Sequence, residues 1–166
     1  MSEVVDISVK KNDGLSITVD DGRVAVPINN TNGEKVGVFF FNPTDIGIVE
    51  RFKTASDKFD YVVEPLNELK DDADEDEQIA ALKKAEVRLY DLCNNLFGGN
   101  FAEAFFGSVN PFTPIDGKFY CENALNAVSE FVGRQFDKET SKINARVSKY
   151  TQDYQKKSGK HKDGKK

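Results

Sequence analysis

The chain has 166 residues, of which 39% are hydrophobic and 31% charged, and its formal net charge is −5. That length suits one domain with a real core and is short for two, and no apolar run approaches the roughly 20 residues that a membrane-spanning helix needs. One histidine, two cysteines and no tryptophan leave little material for histidine catalysis, a disulfide framework or a zinc cluster.

The amino terminus, MSEVVDISVKKNDG, carries early acids and lacks the basic start, apolar centre and small-residue cleavage site of a secretion signal. The expected compartment is therefore the cytoplasm of the producing cell. Residues 1–41 read as β-rich. VVDISV and LSITV alternate, KNDG and DDG punctuate them, and VAVPI and KVGVFFF follow with NNTNG between. Three or four short strands are expected. The first two set residues 1–23 apart as an arm that need not belong to the main sheet, and Pro27 fits best at a strand edge because it cannot donate a ladder hydrogen bond.

At Asn42-Pro43 the hydrophobic period changes from that of a strand to that of a helix. Asn42 is a good cap, Pro43 is tolerated in a first turn, and Asp45 complements the positive end of the helix dipole. Val49, Phe52, Ser56, Phe59, Val63 and Leu66 then repeat at three and four residues, which predicts one long amphipathic helix. Pro65 is expected to kink it or end its regular part. The run DDADEDE, Asp71 to Glu77, lacks the glycine and spaced ligands of a calcium loop and reads as a solvated linker. A second helix presents Ile79, Leu82, Ala85, Leu89, Leu92, Cys93 and Leu96 and stops at Gly98-Gly99. The short acidic connection predicts that these two helices pack antiparallel.

Asn100 and Glu103 resemble a capping pair for the short helix FAEAFF, which Gly107 closes. VNPFTPIDG reads as a loop, a further helix is expected from about Lys118 to Phe136, and Ile143, Val147, Tyr150 and Tyr154 mark one face of a last helix. Eight of the thirteen phenylalanines fall between Phe97 and Phe136. They read either as a phenylalanine-rich core or, for Phe105, Phe106 and Phe112, as an aromatic docking surface. Cys93 and Cys121 lie among apolar residues and are expected to pack as small hydrophobes. The last eleven residues, 156–166, carry six lysines against Asp163, a charge of +5 that leaves −10 on the rest. This tail is expected to be disordered.

The fold class predicted is α+β, mainly α: short antiparallel strands at the amino end followed by a bundle of four to five helices, with residues 24–155 as a single mainly helical domain. Little in it points to chemistry. His161 sits in the lysine tail, no Gly-rich phosphate loop ending in Lys-Ser or Lys-Thr occurs, and the abundant acids lie in linkers and on outward helix faces. The expectation is a protein that is not an enzyme and takes no cofactor and no metal. Nucleic-acid binding by the tail has little support, since the body is acidic and no arginine or aromatic residue is interleaved with the lysines.

Several segments carry a family resemblance: INNTNGEKVGVFFFNPTD, IVERFKTASDKFDYV, LYDLCNNLFGGNFAEAFFG and INARVSKYTQDYQKK, in that order over roughly residues 24–157. Together they resemble the small tail assembly chaperones of long-tailed phages and prophages. The resemblance implies a mostly helical protein of the host cytoplasm that binds the tape measure protein and keeps it soluble until tail tube subunits polymerise around it. Members of such families are often produced in two lengths by ribosomal frameshifting near the end of the shorter reading frame. The arm before Val24 departs from the family pattern. On this reading the contact regions are the Val49, Phe52, Phe59 and Val63 face of the first long helix and the Phe105, Phe106 and Phe112 segment, with self-association because many copies must coat a long client. The competing expectation is a structural virion component, a tail or head-tail connector subunit, assembling through its amino-terminal strands.

Overall fold

Val24–Asn29 (β1) and Lys35–Phe41 (β2) form an antiparallel hairpin in which Val26 faces Phe39 and Val24 faces Phe41. Its turn is built from local chemistry. The Asn30 Oδ1 accepts from the backbone N–H groups of Asn32 and Glu34, and Gly33, at φ 82°, makes the left-handed step that a side chain would resist. The computed structural model describes residues 14–162. Of the two further strands expected, VVDISV lies outside the described residues. LSITV, residues 15–19, belongs to no strand, and Leu15, Ile17 and Val19 are exposed, Ile17 at 97%. Alternation alone does not make a strand when no neighbour takes up its backbone groups.

The outer rim of β2 is satisfied by a side chain. Asn100 donates through Nδ2 to the Val38 carbonyl at 3.0 Å and accepts through Oδ1 from the Phe40 N–H at 2.8 Å. Val38 and Phe40 therefore face away from β1, and their cross-strand partners Pro27 and Ala25 face away from β2. The missing donor of Pro27 thus lies on the open rim of β1, as a proline in a strand requires.

Helix α1, Gly47–Asn67, begins later than Asn42-Pro43 suggests. Asn42 and Asp45 cap turns instead of the helix: the Asn42 Oδ1 accepts from the Thr44 N–H, and the Asp45 Oδ1 accepts from the Gly47 N–H. Such short side chains compete for local donors and here hold two successive turns before the helix can start. Pro65 lies inside α1, which continues two residues beyond it to Asn67. A proline at position 65 leaves the carbonyl of Tyr61 without its helical donor. Arg88 supplies one, donating from Nη1 to that carbonyl at 2.7 Å while its guanidinium lies 3.9 Å from the centre of the Tyr61 ring. Replacing Arg88 by Met is expected to cost about 2 kcal/mol in urea unfolding, and about 1 kcal/mol less in a Pro65→Ala background, where the helix supplies its own donor. Equal costs in the two backgrounds would separate Arg88 from the proline.

Helix α2, Glu75–Phe97, starts at Asp74, whose Oδ1 accepts from the Glu77 N–H, and stops at Gly98 in the left-handed conformation, φ 65°. Arg51 near the start of α1 donates from Nε to the Leu96 carbonyl at the end of α2, so the two helices run antiparallel. Helix α3, Phe101–Phe106, follows at once. Asn100 does not cap it, because its amide is committed to β2, and the Glu103 carboxylate instead accepts from the Asn94 side chain. Pro114–Ile115 (β3) and Lys118–Phe119 (β4) make a small hairpin through Asp116 and Gly117, both at positive φ. This replaces the start of the helix expected at Lys118.

Helix α4, Tyr120–Lys162, is a single 43-residue helix where two were expected. Nothing between Phe136 and Ile143 stops it, since DKETSK contains neither Gly nor Pro. Its backbone runs into the segment assigned to a basic tail, of which residues 163–166 lie outside the described set. The fold is thus mainly helical α+β, a two-stranded amino-terminal hairpin followed by four helices among the described residues.

The core gathers where β2, α2 and α3 meet. Phe39 stacks on Phe41 with ring centroids 3.9 Å apart and meets Phe97, Phe101 and Phe105 edge-on, while Phe101 stacks on both Phe97 and Phe105. Cys121, Ala124, Val128 and Val132 of α4 close this core from one side.

Candidate interaction surface

The buried side of α1 is set by Ile48 and Val62, with Ala55 packed between them. This line lies one residue, or about 100° of helical rotation, from the stripe that begins at Val49. The consequence is that Val49 and Phe52 ride on the shoulder of α1 instead of under it, at 59% and 43% exposure. Phe59 and Val63 are half-buried. Across from this shoulder, α4 presents Ser129, Val132, Gly133 and Phe136, and the space between is an apolar groove of about 310 Å³ floored by Ile48 and Phe97.

Two arginines fix the wall that α1 contributes. Arg51 bonds Asp45 through Nη2 at 2.9 Å as well as the Leu96 carbonyl through Nε at 2.8 Å, placing a cation at the negative end of α2. The Arg51 hydrogen bond, helped by the Gly47 N–H, holds the Asp45 carboxyl below the usual carboxylate range. A carboxyl lowered in the folded state contributes stability above its ordinary pKa and loses it as pH falls through the lowered value. The pair is more than one third exposed, which keeps that contribution small. Arg88 holds the other end of α1, as described above.

The second expected contact region does not reach the surface. Phe105, Phe106 and Phe112 are all buried, and the Tyr120 hydroxyl donates to the Phe105 carbonyl at 3.0 Å. Their rings belong to the core that β2 and α4 close over. Cys93 and Cys121 are buried beside them, and desolvation pushes their thiols up to about 12 and about 11 respectively, which makes them poor nucleophiles.

Among the described residues no charged or polar side chain is buried, and no group of three His, Cys, Asp or Glu side chains converges as metal ligands would. No helix among them is long and apolar enough to cross a membrane.

What sequence reasoning missed is Phe136 as the far wall of the groove and the continuity of α4 beyond it. The signal was present in Val132, Phe136, Ile143 and Val147, whose spacing continues across the boundary drawn after Phe136. On the described part of this extension, Ile143 and Val147 are exposed at 50% and 52%, on a helix that no other element among the described residues covers.

Comparison of the chain with protein-family models, with curated proteins and with solved structures gave no match.

Proposed function

We propose that this chain is a holding protein for an apolar helical client, specifically a tail assembly chaperone that binds the tape measure protein of a long-tailed phage or prophage. On this reading it works in the host cytoplasm and keeps its client soluble until tail tube protein is added. The observation that carries the reading is the groove between α1 and α4, where Val49 and Phe52 stand exposed opposite Phe136 on a folded domain. An amphipathic helix laid there would bury its own stripe against these side chains, while the acidic body keeps the complex dispersed. The sequence resemblance suggests the client, and the groove supports a helix-in-groove contact.

The test is co-expression with a tape measure protein of a long-tailed phage or prophage. The client is expected in the soluble fraction with the wild-type chain and in the pellet without it. Phe52→Asp, at an exposed position, is expected to leave folding intact and weaken client binding by about 2 kcal/mol, roughly thirtyfold. Equal precipitation of the client with and without the chain overturns the proposal.

A second reading has its own observation. Leu15, Ile17 and Val19 alternate, are exposed and pair with no strand among the described residues, which suits a strand donated to a neighbour's sheet in a tail or connector subunit. Purified particles separate the two readings: a chaperone is absent from finished virions, and a structural subunit is present in fixed copy number.

A further inference from the structure

We infer that the half of α4 beyond Phe136 pairs antiparallel with the same segment of a second copy of this chain, in the one register that sets Glu139 against Arg146 of the other copy. The inference does not rest on the chaperone reading, because it concerns how the chain meets itself.

The exposed extension of α4 is amphipathic in a heptad sense. Phe136, Ile143 and position 150 take one seam position, and Thr140, Val147 and position 154 take the other, where 150 and 154 are both tyrosine in the sequence. Lys138 and Lys149 fall on the opposite side, which a partner would leave in water, and Lys142 reaches from that side to Glu139 at 3.3 Å. Upstream, the same seam runs through Ser129 and Gly133, two of the residues lining the groove, so the seam of the extension continues into the groove. From 129 to 154 the seam is about 38 Å long, or roughly three and a half heptads, enough for a stable coiled-coil contact.

Charge selects both orientation and register. In an antiparallel pair the positions flanking the seam on one side, Glu139 and Arg146, meet their counterparts across the two-fold axis. When Thr140 faces Ile143 of the second copy and Phe136 faces Val147, Glu139 lies beside Arg146 at both symmetric places. Sliding the second helix by one heptad brings Arg146 onto Arg146 in one direction and Glu139 onto Glu139 in the other, and like charges there are unfavourable. A parallel pair would set Glu139 and Arg146 beside Asn144 and Thr151, where neither gains a partner.

The experiment is sedimentation of the full chain with charge exchange. The wild type is expected to be a dimer at micromolar concentration. Arg146→Glu and Glu139→Arg should each weaken the dimer by about tenfold, since each turns two attractive contacts into repulsive ones. The double variant should return to within about threefold of wild type. These positions are exposed, and unchanged helicity by circular dichroism confirms that each variant is folded. Oxidative linkage gives the orientation: Phe136→Cys mixed with Val147→Cys is expected to cross-link, and Val147→Cys alone is not. A wild-type monomer, a double variant no better than the singles, or self-linkage of Val147→Cys each overturns the inference. A monomer that binds the tape measure through Ile143 overturns it too and gives the seam to the client, whereas a dimer that fails to solubilise the client sinks only the chaperone reading.

Discussion

Phe39→Ala is expected to cost about 3–5 kcal/mol of unfolding free energy, enough to remove most of the stability of a typical domain. Phe39 is the one ring that touches Phe41, Phe97, Phe101 and Phe105 together, with centroid separations of 3.9, 5.9, 5.5 and 5.5 Å. It is buried to 2% exposure, and the rings around it come from β2, the end of α2 and α3, so no single movement can fill the space its loss would leave. The control lies one residue along. Phe40 projects from the other face of β2 and is exposed, and Phe40→Ala is expected to cost less than about 1 kcal/mol. Urea unfolding followed by circular dichroism reads both. A Phe39→Ala protein within about 1 kcal/mol of wild type would mean that the aromatic cluster is not the centre of the core.

Gly99→Ala is the second large effect, at about 3 kcal/mol of destabilisation. A Cβ on Gly99 would run into the carbonyl oxygen of Phe40 and come within 3.1 Å of the Phe41 Cβ. The obstacle is backbone and strand, which cannot rotate away as a long side chain would. Gly37 faces the same constraint on the other side of the junction, where its Cβ would meet the Ala104 carbonyl. Gly133→Ala is the matched control: its Cβ enters open space inside a helix, so the same substitution should stabilise the free chain by about 1 kcal/mol through helix propensity. Thermal unfolding of the two variants is expected to shift in opposite directions, and a neutral Gly99→Ala would show that α3 does not sit tightly on β2.

Much of the fold was legible because it rests on local signals. The turn at NNTNG, the acidic entry to α2, its stop at Gly98 and the closure of α3 at Gly107 are all written in residues whose chemistry acts within one turn of chain. The mainly helical α+β class follows from them. Legibility failed where a distant contact decided the outcome. Asn100 looks like a cap in sequence, yet its amide is drawn sixty residues away to Phe40. Pro65 orphans the Tyr61 carbonyl, and the donor that satisfies it, Arg88, comes from another helix, which spacing along α1 cannot show.

The contact surface was legible in part for the same reason. Periodicity gave a stripe on α1 but not which edge of it the core would take, and the one-residue offset to Ile48 and Val62 left Val49 and Phe52 outside. Phe105, Phe106 and Phe112 could not be divided between core and surface by spacing, because both uses of an aromatic residue look alike before the hairpin folds over it. Phe136 was read as the end of a helix, which hid its place in a track that continues through Ile143 and Val147.

With the carboxamide of Asn100 occupying one margin of the hairpin, the two-stranded sheet can lengthen only from the β1 margin, and there Pro27 withholds a donor. Two such hairpins meeting β1 to β1 would consume both open margins and leave none for a third. Runaway cross-β stacking of this hairpin therefore has no second margin to grow from, which closes one common route to insoluble fibres.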